Sequence, residues 1–104
     1  MYMATEIYKF RGQIFKWDRE KSLSNIEKHG ISFKSGAVVF FDPNAVEYDD
    51  EENSLEEERF KIIGLDESQR LLMVSHCYRE DDFVIRIISA RKASKQEERK
   101  YGGA

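Results

Sequence analysis

Along the chain, the spacing of apolar residues changes from two to three or four and back to two, and each change marks an element. Ile14-Phe15-Lys16-Trp17 predicts a short strand. Asp18 follows as an N-cap, with Glu20 in a first turn where the helix dipole favours a carboxylate. The helix so begun runs to about His29 on a thin apolar face, Leu23 and Ile26, and Gly30 stops it after Lys28 and His29. Ser32 can cap a second helix, in which Phe33, Ala37, Phe40 and Phe41 keep the i, i+4, i+7, i+8 spacing of a core-facing stripe, until Asp42-Pro43 ends it. Ala45 to Tyr48 reads as a short strand before an acidic surface loop at Asp49 to Ser54.

Three further strands are predicted, at about Glu58 to Leu65, Leu71 to Tyr78 and Phe83 to Ala90. The turns at Asp66 to Gln69 and Arg79 to Asp82 are too short for crossover helices, so these strands form an antiparallel meander. Leu71-Leu72-Met73-Val74, apolar on both faces, marks a central strand covered by helices. Ser94 to Glu97 fits a capping box and opens a short last helix ending near Tyr101-Gly102. The order β-α-α-β-β-β-β-α is an α+β fold: a mostly antiparallel sheet, two N-terminal helices packed on it, and a short C-terminal helix. Residues 1–12 alternate loosely through Ile7, Tyr8 and Phe10, as an edge strand or a mobile arm would. We take residues 1–13 as an N-terminal extension and 14–104 as a single domain.

Composition narrows the class. With 40% hydrophobic residues the chain can bury a core although 36% is charged. Cys77 stands alone, which excludes an internal disulfide. No apolar run approaches the roughly 18 residues of a membrane span, and the first ten residues lack a signal peptide's apolar core. A cytoplasmic protein is expected. The net charge of -3 argues against nucleic acid until its distribution is seen. Nine acidic residues and no Lys or Arg lie between Asp42 and Glu58, so elsewhere 17 basic residues face 11 acidic ones.

Three groups of residues could carry chemistry. Lys28-His29-Gly30 is accounted for as a helix terminus, yet it also holds an imidazole and an ammonium side by side, where they can meet a phosphate. In a regular strand Arg86 shares a face with Val84, Ile88 and Ala90, while Arg91 falls on the face of Phe83, Ile85 and Ile87. A guanidinium among apolar neighbours needs either a carboxylate partner or an anionic ligand. Glu57-Glu58-Arg59 enters a strand with Lys61 on the face of Arg59; such charges guard strand edges, but Glu58 beside arginines could act as a base. His76 and Cys77 read as core or surface residues rather than catalytic ones. Neither His nor Cys recurs at ligand spacing, so no metal site is expected.

Taken in order, Phe15-Lys16-Trp17-Asp18, Lys28-His29-Gly30-Ile31-Ser32-Phe33, Phe41-Asp42-Pro43, Glu58-Arg59-Phe60, Ile63-Gly64 and Arg86 through Ala93 resemble the BrnT family of toxins, over about Ile14 to Tyr101. The resemblance implies a fold like that of RelE-type toxins and ribonuclease activity on cellular RNA. It also implies neutralisation by a BrnA-type antitoxin that binds DNA through a ribbon-helix-helix domain, in a hetero-oligomer. The family's signature charges fall here on Lys28, His29, Glu58, Arg59, Arg86, Arg91 and Lys92. The expected activity is metal-independent cleavage by 2′-OH attack, without a cofactor. Arg59, Arg86 and Arg91 would stabilise the phosphate, His29 and Glu58 would transfer protons, and Lys28, Lys61 and Lys92 would bind substrate. The alternative is a non-catalytic module of the same fold that binds RNA or a protein partner through the same residues.

Overall fold

A two-residue turn starts the molecule: Arg11 and Gly12 both adopt positive φ, the geometry that lets two strands close into a tight hairpin. The computed structural model describes residues 4–101. Strand β1 (Thr5–Phe10) pairs antiparallel with β2 (Gln13–Asp18), so the opening segment forms an edge strand, and Tyr8 and Phe10 pack against the core. Met1 to Met3 and the expected helix end at Gly102 lie outside the described residues.

Helix α1 (Arg19–His29) follows at once, capped by the Asp18 side chain on the Glu20 N–H and closed by Gly30 at φ 69, whose N–H bonds Ile26. Helix α2 (Phe33–Val39) is capped by Ser32. Strands β3 (Val46–Asp49), β4 (Phe60–Leu65), β5 (Leu71–Arg79) and β6 (Val84–Lys92) form the meander, and α3 (Lys95–Glu98) opens on a complete capping box. The sheet order is β1-β2-β6-β5-β4-β3, antiparallel throughout except for a short parallel seam between β2 and β6. That seam joins the N-terminal hairpin to the meander.

The core lies between the helices and one face of this open sheet. Phe15, Trp17, Phe33, Val74, Ile85 and Ile87 are buried together there, each such side chain contributing on the order of 1.5–3 kcal/mol. Gly64 makes the close approach of α2 possible, because a Cβ at that position would sit 2.9 Å from Val39. Among the described residues, no helix is long and apolar enough to cross a membrane.

Candidate functional site

The site begins with an irregularity in β6. Ser75 pairs with Ser89, but the next residue of β5, His76, pairs with Ile87, which leaves Ile88 without a partner. This is a β-bulge, and an extra residue reverses the alternation of side chains beyond it. Strict alternation puts Arg86 with Ile88 and Ala90, and Arg91 with Ile85 and Ile87. The structure corrects this: Ile85, Ile87 and Ala90 face the helices, while the register brings Arg86, Ser89 and Arg91 together on the other face.

On that face the register aligns residues across the sheet. Lys16 lies opposite Arg86, and Arg86 opposite Cys77. Beside them run Ser89, Ser75, Lys61 and Tyr48, and then Arg91, Met73, Ile63 and Val46. The C-terminal segment attends both of these rows: Glu97 of α3 forms a two-pronged pair with Arg91 at 2.8 Å for each bond, and Lys100, just beyond α3, sits 4.2 Å from the Tyr48 ring centre. Hydrogen bonding to Glu97 raises the pKa of Arg91 despite its burial. Burial would raise that of Glu97, but Arg91 and Ser94 outweigh it and hold the carboxyl below its ordinary value.

Other cations near this face are also paired. Lys16 meets Glu80 at 2.8 Å, and Arg79 meets Glu57. Among the described residues, no carboxylate lies within ion-pair distance of Arg59, Lys61 or Arg86. The structure therefore divides the two β6 arginines: Arg91 has the internal carboxylate that a guanidinium among apolar neighbours needs, and Arg86, half-buried, has none. Burial pushes the Cys77 thiol up, while the charges of Arg86 and Arg59 pull it the other way.

Arg59 is held by its backbone. The acidic loop folds into a short 3-10 turn (Glu51–Asn53) and closes where the Asp50 N–H donates to the Arg59 carbonyl at 2.9 Å. The Ser54 hydroxyl accepts from the Arg59 N–H at 3.0 Å and donates to the Asp50 carbonyl at 2.6 Å. Asp50 is buried rather than on the surface, and its two carboxylate oxygens both accept from the Asn53 side-chain amide. The loop thus fixes the backbone of the residue just ahead of β4.

Lys28 and His29 join the face from its edge. Beyond Arg86, β2 no longer pairs with β6, and α1 takes its place. A cavity of about 270 Å³ between them is lined by Lys21, Ser24, Lys28, His29, Ile88 and Ser89. The imidazole and ammonium therefore share a cavity with Ser89, a residue of the basic face. Lys92 pairs in register with Leu72 of the core and so belongs to the opposite face. Glu58 is also elsewhere, in a cavity of about 570 Å³ on the helix side, with Glu47, Glu57, Phe60, Tyr78 and Asp82.

Sequence reasoning passed over a polar cluster beside that second cavity. His76, 0% exposed, packs against Phe40, Phe60 and Tyr78, with Nδ1 3.1 Å from the Val74 carbonyl and Nε2 2.6 Å from the Glu47 carboxylate. Both ring nitrogens thus have a polar partner inside the fold. Tyr78 donates to the same Glu47 oxygen. The hydrogen bond from His76 holds the Glu47 carboxyl below its ordinary value against the effect of burial, with Tyr78 assisting. Burial and Glu47 together raise the Tyr78 hydroxyl pKa. The cluster ties β3 to β5, and its signal in sequence was only a His inside a strand. Among the described residues, no group of three or more His, Cys, Asp or Glu is placed to hold a metal.

A solved structure shares this architecture: the ribonuclease toxin BrnT of Brucella abortus, 23% identical, with a TM-score of 0.57 over 76% of this chain and 94% of that one. No protein of curated function matches. The family model for the ribonuclease toxin BrnT of type II toxin-antitoxin systems matches residues 17–97, from the end of β2 through the bulged strand to Glu97, the partner of Arg91. The chain belongs to the BrnT family of ribonuclease toxins.

Proposed function

We propose that this protein cleaves cellular RNA without a metal ion, by attack of a 2′-OH on the adjacent phosphate, and that a BrnA-type ribbon-helix-helix antitoxin neutralises it in the cytoplasm as a hetero-oligomer. The observation that carries the proposal is Arg86, a half-buried guanidinium without a carboxylate partner, opposite Cys77 on the open face of the sheet, with Arg59, also outside ion-pair distance of any carboxylate, just ahead of β4. Cleavage of this kind builds negative charge on the phosphorus oxygens, and a planar guanidinium stabilises it through paired bonds. Arg86 and Arg59 hold the scissile phosphate in this reading, and Lys61, one row on, holds a neighbouring one. His29 transfers a proton from the edge cavity and Lys28 binds beside it. Arg91, held by Glu97, contributes charge from a fixed position.

Purified protein incubated with labelled RNA in excess chelator should cleave it, and Arg86→Ala should lose about 10²- to 10³-fold in rate with its circular dichroism unchanged. A folded Arg86→Ala variant that cleaves as fast as the parent removes the proposal. A second reading, a module that binds RNA without cutting it, is favoured by one observation. Of the two proton-transfer candidates, only His29 adjoins the basic face, since Glu58 lies in the cavity on the other side. Binding without cleavage in the same assay selects that reading.

A further inference from the structure

The proposed site has two halves that the chain builds separately: the Lys28-His29 helix terminus and the bulged stretch of β6 from Arg86 to Arg91. We infer that Asn25 is the positioning residue that sets these halves against each other, an inference that rests on the ribonuclease reading of the face.

Asn25 is the one buried residue among those described in α1, at 6% exposed, in a helix whose apolar residues Leu23 and Ile26 are 56% and 45% exposed. A carboxamide is an expensive group to bury unless all its bonds are made. Here backbone groups use it: Nδ2 donates to the Ala90 carbonyl at 2.7 Å and to the Ile31 carbonyl at 2.9 Å, and Oδ1 accepts from the Ala90 N–H at 3.1 Å. The two bonds to Ala90 are those a neighbouring strand would make, and they stand where β2 has already parted from β6. The bond to Ile31 reaches past Lys28, His29 and Gly30. One side chain thus grips the strand between the bulge residue Ile88 and Arg91, and on its other side fixes the turn carrying Lys28 and His29. Asn25 itself borders the cavity shared by Lys28, His29 and Ser89. Nothing places it on the substrate. Its action runs through the groups it aligns, and a misplacement of about 1 Å can cost about 100-fold in rate.

Asn25→Asp keeps the shape and the acceptor for the Ala90 N–H but turns a carboxylate on two carbonyls; Asn25→Ala removes all three bonds. Both would be assayed below their melting temperatures, on an RNA oligonucleotide under saturating, single-turnover conditions. The expected result is a rate about 10- to 100-fold lower per folded molecule, with RNA affinity changed less than threefold. In a His29→Ala background the loss from Asn25→Asp should shrink, because one of the groups that Asn25 aligns is gone. A role confined to stability would lower the melting temperature and leave both the rate and the coupling to His29 untouched; that outcome overturns the inference. Failure of the ribonuclease reading is separable, since it appears as a parent protein that cleaves nothing. Amide spectra then decide the clamp alone. Shifts at both Lys28-His29 and Ser89-Arg91 in Asn25→Asp, with faster exchange at Ala90 in Asn25→Ala, support it. Changes confined to one half overturn it.

Discussion

At the scale of single residues, the chain uses many of its carboxylates as ties. Four of the nine acidic residues between Asp42 and Glu58 are spent inside the fold: Asp42 on the Leu65 N–H and Tyr101, Glu47 on His76 and Tyr78, Asp50 on Asn53, and Glu57 on Arg79. Their clustering was legible in the sequence, but their partners were not, since each partner outside the loop comes from a distant segment. Glu47 gives the clearest consequence. Its folded-state pKa lies below the ordinary 4.5, so the folded protein binds that proton less readily than the unfolded chain. The contribution is complete above about pH 4.5 and is lost as pH falls through the depressed folded value. Thermal melts between about pH 5 and 3 should show a steep fall for the parent and a shallower one for Glu47→Gln, which starts from a lower stability at neutral pH. Tyr78→Phe, losing one bond to a partly exposed carboxylate, should cost about 1 kcal/mol. Identical acid profiles for parent and Glu47→Gln would show that the cluster does not carry this term.

At the scale of elements, caps and turns were readable because their chemistry is local: Asp18, Ser32 and Ser94 cap as expected, and Gly30 stops α1. Two features were hidden. The parallel seam between β2 and β6 joins residues about 70 apart, and nothing in either segment announces the other. The bulge lacks the glycine that often marks one, so Ile88 reads as an ordinary strand residue and the two β6 arginines appear on opposite faces. The short β5–β6 connection is a strained counterpart, with Glu80, Asp81 and Asp82 at φ 52, 55 and 71. L-residues other than Asn and Gly resist this left-handed conformation, at about 1–2 kcal/mol each and less for Asp. Asp81 is exposed, so Asp81→Gly should relieve strain at little other cost. A gain of about 0.5–1 kcal/mol is expected, read as a rise of about 2–8 °C in melting temperature. A lower melting temperature would mean that the aspartate is held there by an interaction worth more than its strain.

At the scale of the molecule, the net charge of -3 conceals an uneven local distribution of charge. Carboxylates line the cavity on the helix side, and Glu52, Glu56 and Glu57 share a smaller one with Arg59, while Lys61 and Arg86 stand on the open sheet face outside ion-pair distance of any carboxylate. Total charge therefore says little about whether RNA can bind, and the salt dependence of binding says more. Each phosphate contact on single-stranded RNA releases counterions and adds about 0.7 to the slope of log affinity against log salt. Lys61→Ala should lower that slope by about 0.7 and weaken binding evenly across RNA sequences, because a lone ammonium contacts phosphate rather than bases. Lys92→Ala is the matched control, an exposed lysine in the same sheet whose register places it on the helix side. Its slope should equal the parent's. If both substitutions lower the slope alike, the protein attracts RNA through its overall field; if only Lys61→Ala does, the open face of the sheet is where the RNA lies.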